Sequence, residues 1–369
     1  MLHTNQVVDF EALQGAGIAN ARERAPLIEY LDSLGFTAEQ MVDAERRGRL
    51  FGLAGDALQW SGPPIHTLSS AAEALGVPVE DVAHFWALLG LAAPDADTPT
   101  LSQADVDALA TCMALNEQFS EEAVSGTLRV LGAAMARLAD AESAMIRFGQ
   151  PEVWIGHTND ELATAQAFRK VAAFVPRIGA LMDAVHRHHL TSTRTFIEGI
   201  TRGPSAGLMC GVGFVDLSGF TALTQLLTPA ELSNLLKGFS ATVSDVVQAD
   251  RGRVVKFIGD AVMWVSPSAE QLAKAAVDLV DHPRAREAGL QVRAGLGYGE
   301  MLAINGDYFG NPVNLAARLV AAASPGQILV AEQVHNELPD WPATVQDPLT
   351  LKGFDEPVTA YALSLTAHR

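Results

Sequence analysis

The chain has 369 residues, 49% hydrophobic and 18% charged, and its 43 acidic residues against 25 basic ones leave a formal charge of −18. This acidity disfavours nonspecific attraction to nucleic acid or anionic lipid, and the length suits about two to three domains. Two cysteines, Cys112 and Cys210, exclude a disulfide framework, and the absence of a secretory signal or a long apolar run predicts a cytoplasmic protein with no membrane span.

Residues 1–190 read as helix after helix. Thr37-Ala38-Glu39-Gln40, Ser70-Ala71-Ala72-Glu73 and Thr158-Asn159-Asp160-Glu161 each fit the capping box, with a hydroxyl at the N-cap and Glu or Gln three residues on. Leu128, Leu131, Met135 and Leu138 recur at three- and four-residue steps, the stripe of an amphipathic helix. Helix stops fall at Gly76-Val77-Pro78 and Phe148-Gly149-Gln150-Pro151. The expectation is an all-α domain.

Residues 67–82 have the outline of a helix-turn-helix with a glycine in the turn. A DNA reader needs basic residues on its second helix, and this one offers Glu80, Asp81 and His84. The pair reads as a packing unit. A helical run from Thr164 to about Leu190 closes on His186, His188 and His189. Three readings attach to these histidines: a solvated helix end, a protonation switch at the joint between modules, and a metal site. Thr191–Gly207 follows with the composition of a connector.

The second half changes period. Leu208–Val215 is an apolar strand that delivers Asp216 into the turn FVDLSGF, and Arg253–Ile258 with Ala261–Val265 form a hairpin around Gly259-Asp260. Gly219 and Gly259 supply the backbone freedom of these turns. Two aspartates on neighbouring strands repel unless a cation lies between them, and Mg²⁺ prefers carboxylate oxygens together with substrate phosphates. Thr228-Pro229-Ala230-Glu231 opens a helix to about Ala249, Ser268–Asp281 is helical, and Gln291–Gly299 is a strand. The order βαββαβ predicts an α+β ferredoxin-like sheet with helices on one face, closed by strands at Gln327–Ala331 and Val358–Leu365. Between them, Pro312–Ala323 is a helix on which Asn314 and Arg318, four apart, share a face. Such a pair near a helix start can hold a sugar oxygen and a phosphoryl group. Lys352 in LKGFDEP is a further candidate phosphate contact.

FVDLSGF, VVKFIGDAV and DYFGNPVNLAARL together resemble the catalytic domain of class III nucleotide cyclases, over about residues 205–366. The resemblance implies a homodimer that converts ATP to cyclic AMP and pyrophosphate, with two Mg²⁺ or Mn²⁺ ions at each of two shared sites. It assigns Asp216 and Asp260 to the metals, and Lys256 with Asp307 to the adenine edge. It gives Asn314 to the ribose, Arg318 to the transition state and Lys352 to the terminal phosphates. Guanylate-type members carry Glu and Cys at the base-reading positions, so Lys256 with Asp307 implies ATP. The first half resembles, more loosely, the helical regulatory domains of soluble mycobacterial adenylate cyclases, which implies autoinhibition relieved at acid pH and a fatty acid or lipid as a candidate ligand. The domains expected are therefore a regulatory one over 1–190, a linker over 191–207 and a cyclase domain over 208–369. Two other readings stand beside this one: a catalytically silent nucleotide-binding signalling module, and a DNA-binding regulator using residues 67–82.

Overall fold

The computed structural model describes residues 8–93, 95–201, 207–283, 285 and 290–365. The chain divides into two compact units, one up to Arg187 and one from His188.

The first unit is helical among the described residues. Its helices are α1 (Phe10–Ala16), α2 (Ala25–Ser33), α3 (Ala38–Arg46), α4 (Leu53–Gln59), α5 (Leu68–Leu75), α6 (Val79–Leu88), α7 (Gln103–Gln118), α8 (Glu121–Gly149), α9 (Ile155–Thr158) and α10 (Glu161–Ala172). Helix α11 (Val175–Ile200) begins in it and ends in the second unit. One apolar core gathers around Ile18, Leu27, Ile28, Leu31 and Leu53, and another around Leu68, Val82, Leu88, Leu109 and Leu128. Arg24 joins three helices by bonding Glu45 and, with two nitrogens, Glu161.

Thr37 and Gln40 form the expected capping box. The other two boxes shift. Helix α5 starts from Thr67, with Ser70 as its N3 partner, because the earlier start buries Leu68 beside Ala71 and Ala72. Helix α10 is capped by Asp160, since Asn159 stands at φ 51°, a left-handed position that cannot join a helix. In α6, Val82, Phe85 and Leu88 are buried, whereas Glu80, Asp81 and His84 face solvent. The amphipathic stripe of α8 is only partly covered: Leu128 is buried, while Leu131 and Met135 are exposed.

The run expected from Thr164 to Leu190 is two helices, and the second continues ten residues past its expected end. Pro176 explains the break, because proline fits the first turn of a helix and not its interior. The continuation through Thr191–Ile200 replaces the expected connector over that stretch. Phe196 and Ile200, one turn apart, are buried against Leu208, Cys210 and Val212, so the segment packs despite its polar composition. Of the rest of the expected connector, Thr201 bridges to Leu208, and residues 202–206 lie outside the described residues. The three histidines accordingly sit within a helix, not at its end.

The second unit is built on β1 (Leu208–Leu217), α12 (Phe220–Thr224), α13 (Pro229–Ala249), β2 (Arg253–Ile258), β3 (Ala261–Ser266), α14 (Ala269–Val280) and β4 (Val292–Ile304). Then come β5 (Asp307–Phe309), α15 (Asn311–Ala322), β6 (Ile328–Ala331), α16 (Glu332–Asn336), β7 (Ala343–Val345) and β8 (Ala360–Leu363). The sheet runs β2-β3-β1-β4-β6-β8-β7, with β5 on the far part of β4. Its first four strands pair antiparallel in the order of a split βαββαβ core. Strand β1 is central and mostly buried, as an apolar run without alternation requires.

The helices occupy both faces, not one. Residues of α13 and α14 share a core with Val215, Trp264, Ala294 and Leu296. Ala316 and Val320 of α15 pack on the other face, with Cys210, Val212, Phe214 and Met263. Strand β4 allows this because Gly295 and Gly297 leave no side chains between it and α15.

Candidate active site

Two groups of polar residues lie on this sheet. The first sits where β1 ends. Asp216 pairs in register with Ala261 of β3 on one side and with Arg293 of β4 on the other. Asp260 occupies the two-residue turn of the β2–β3 hairpin, where Gly259 takes φ 63°, and Gly219 after Asp216 takes φ 77°. The carboxyl groups of Asp216 and Asp260 are neighbours. Burial first, and then the neighbouring Asp216 charge, hold the Asp260 carboxyl above the usual carboxylate range, opposed by its own backbone N–H and by Arg293.

Arg293 is the residue that motif reading passes over. Its Nε and Nη2 donate to Asp216 Oδ2 at 2.9 and 2.6 Å, and its Nη1 donates to the carbonyls of Ala321 and Ala323 at 3.2 and 3.3 Å. A lone cation inside the apolar strand V-R-A-G-L-G is the available signal: a charge in a central strand needs a partner nearby.

The second group lies on β2 and β5. Lys256 forms an ion pair with Asp307, whose other oxygen accepts the backbone N–H of Tyr308 at 2.8 Å. Val255 and Tyr308 pack against the same core, which holds the two strands together here. Asn314 and Arg318 are exposed on the first two turns of α15, one turn apart. Lys352 is exposed in the loop between β7 and β8. Among the described residues, no hydrogen bond or ion pair connects Asp216 or Asp260 to Lys256, Asp307, Asn314 or Arg318 within the chain.

A hard divalent cation fits the first group. Two neighbouring carboxylates offer oxygen donors, and the few protein ligands leave positions for water and phosphate, as Mg²⁺ prefers. No cluster of three or more metal-ligating side chains exists among the described residues. His186, His188 and His189 are exposed near the middle of α11, beside an Asp183–Arg187 pair at 2.9 Å.

The sheet order, Asp216 at the end of β1 beside Asp260 in the β2–β3 turn, and Asn314 with Arg318 on α15 are the arrangement that the resemblance to class III nucleotide cyclases leads one to expect. Comparison with known proteins gives the family. Residues 208–365 match the adenylate and guanylate cyclase catalytic domain family, and residues 6–193 match the adenylate cyclase regulatory domain family. An uncharacterized protein of Mycobacterium tuberculosis is 67% identical over 356 residues, covering 96% of this chain and 94% of that one. An adenylate cyclase of Streptomyces coelicolor is 31% identical over 281 residues, 74% of this chain and 71% of the relative. A pH-sensitive adenylate cyclase of M. tuberculosis is 29% identical over 339 residues, 88% and 82% of the two chains. Among solved structures, the adenylyl cyclase CyaB from P. aeruginosa aligns at a TM-score of 0.40 and 24% identity over 42% of this chain and 93% of that one. The chain belongs to the adenylate cyclase family and combines its regulatory and catalytic domains.

Proposed function

We propose that the chain converts ATP to cyclic AMP and pyrophosphate at two sites, each shared between two subunits of a homodimer. The observation that carries this reading is the separation of the two polar groups within one chain: acidic metal ligands at the end of β1, base-reading and ribose-orienting groups elsewhere. Exposed Phe257, Ile258, Leu302, Ile304 and Phe309, beside the Lys256–Asp307 pair in sequence, support a partner surface.

Asp216 and Asp260 would hold Mg²⁺ or Mn²⁺, two ions per site, and such ions would supply Lewis-acid activation of the ribose 3′-hydroxyl and charge stabilisation for the leaving pyrophosphate. Lys256 and Asp307 orient the adenine edge with a donor and an acceptor. Asn314 aligns the ribose for in-line attack on the α-phosphorus. Arg318 neutralises charge on the pentavalent phosphorus, so its loss should cost roughly 10²–10³ in kcat. Lys352 contacts the terminal phosphates.

Asp216→Ala and Asn314→Ala are each expected to be inactive alone and to regain part of the activity when mixed, with cyclic AMP from Mn²⁺-ATP as the readout. Verified heterodimers without recovery would remove the shared-site reading. Product analysis on the parent chain separates turnover from silent nucleotide binding.

Regulation by the helical domain is part of the proposal. Histidine is the side chain type that changes charge near neutral pH, and His186, His188 and His189 are exposed on α11. Activity of the full chain is expected to rise between about pH 8 and pH 6, and a fragment of residues 205–369 is expected to lack that rise. Identical profiles would end the switch reading. A groove of about 870 Å³ in the helical unit supports lipid binding there: Met145, Ile146, Phe174, Val175 and Ile178 line it, with Lys170 available to a carboxylate. A fatty acid that fails to protect the full chain against thermal unfolding would exclude it.

A further inference from the structure

Gly295 and Gly297 stand two residues apart on β4, so they face the same side, and α15 lies on that side. A Cβ on Gly295 would sit 2.3 Å from both the Ala316 carbonyl oxygen and the Val320 backbone nitrogen. One on Gly297 would sit 2.5 Å from the Pro312 carbonyl oxygen. These neighbours are helix backbone, so no rotamer change relieves the contact. On the opposite face, Ala294, Leu296 and Tyr298 fill the core normally. Glycine weakens a strand interior, and in such a place it marks close approach of another backbone.

The contacts bracket the functional helix residues. Asn314 falls between Pro312 and Ala316, and Arg318 between Ala316 and Val320. Leu315 and Leu319, the larger buried side chains of α15, pack with Leu329, Ala331 and Leu351, so they do not set the helix's distance from β4. Backbone contact at the two glycines does, together with Ala316 and Val320 against β1 and β3.

We infer that Gly295 and Gly297 are positioning residues for the cyclase reaction: their missing side chains set the depth at which α15 presents Asn314 and Arg318 to the nucleotide. This rests on the shared-site reading above. Alanine at either position needs the helix to retreat by about 1 Å to reach ordinary contact, and a 1 Å misplacement costs on the order of 10²-fold in rate. The loss falls on kcat more than on KM for ATP, because the base is held from β2 and β5.

Subunit mixing in the full chain tests this. In a shared-site dimer, Gly297→Ala spoils only the site that uses its own α15. Mixed with Asp216→Ala, it should restore activity to the level of the Asp216→Ala plus Asn314→Ala reference pair. Mixed with Asn314→Ala, it should restore almost none. Gly295→Ala should behave alike. Gly211→Ala is the control: the three atoms nearest its Cβ all belong to the Leu272 side chain and none to α15, and its homodimer should stay active. Equal recovery with both partners, or none with Asp216→Ala while the reference pair recovers, would overturn the inference. So would a Gly297→Ala homodimer within threefold of the parent kcat. If neither alanine variant folds, the glycines serve the fold alone and the inference falls. If the reference pair itself fails, the shared-site reading is what falls. The homodimers then decide: an approximately 10²-fold kcat loss confined to Gly295→Ala and Gly297→Ala supports positioning, and equal rates with Gly211→Ala refute it.

Discussion

Replacing Arg293 by methionine removes the cation that faces Asp216 and its neighbour Asp260. The guanidinium donates twice to Asp216 Oδ2 and twice, at longer range, to the end of α15. Side-chain exposure is 27% for Arg293 and 16% for Asp216, so water screens the pair only in part. Exposed pairs contribute about 0–1 kcal/mol, and breaking a buried pair from one side costs about 3–5 kcal/mol. This site lies between those limits. Both strong bonds also share one acceptor oxygen, so they do not count twice. Arg293→Met is therefore expected to cost about 2–3 kcal/mol in metal-free protein, partly because Asp216 and Asp260 then face each other uncompensated.

Urea unfolding in a chelator at pH 7.5, on Arg293→Met, Asp216→Asn and the double variant, reads this directly. The double variant should be more stable than additivity allows, with a coupling of about 1–3 kcal/mol. Saturating Mg²⁺ should recover part of the loss in Arg293→Met, because a second cation enters the same charge cluster. A single-variant cost below about 0.5 kcal/mol, or an additive double variant, would refute the placement of Arg293 as the counter-charge of Asp216.

Asp260 titrates in the opposite sense to a salt-bridged acid. Its folded-state pKa is raised, so its contribution to stability is present at low pH and lost as pH rises through the raised value. Asp260→Asn should raise metal-free stability near neutral pH by no more than about 1 kcal/mol, because solvent screens a partly exposed carboxyl, and under the proposed metal role it should abolish cyclase activity. That gain should vanish in acid, and a variant destabilised at pH 7 in thermal melts would contradict the charge conflict. Burial pushes the Cys210 thiol up to about 12, so native protein at pH 8 should resist thiol reagents there and react only on unfolding. Rapid native labelling of Cys210 would show that its cover opens. Ile200→Ala should destabilise the catalytic unit by about 2–4 kcal/mol, since that side chain is buried at the root of β1. A change below about 0.5 kcal/mol in its melting or denaturant midpoint would mean that the end of α11 is the expected loose connector after all.

Local chemistry was legible from the chain alone. The carboxylates of FVDLSGF and VVKFIGDAV, the capping boxes at Thr37 and Thr228, and the Asn314–Arg318 spacing depend on neighbours a few residues away. Hydroxyl caps at Ser70 and Thr158 were misplaced because competing starts lay within three residues, and burial of Leu68 or the left-handed Asn159 chose between them. Polar composition made Thr191–Ile200 look like a connector, because two buried residues in ten are too few to signal a helix by period.

The sequence by itself determined the strand–helix order and the motif residues to which the proposed metal, base and ribose roles attach. Only the tertiary structure decided that Arg293 lies across from Asp216, that Lys256 meets Asp307 from a different strand, and that α15 covers the face opposite α13 and α14. Those choices depend on which strands become neighbours and in what register, and pairing across fifty or more positions leaves no periodic trace in the chain.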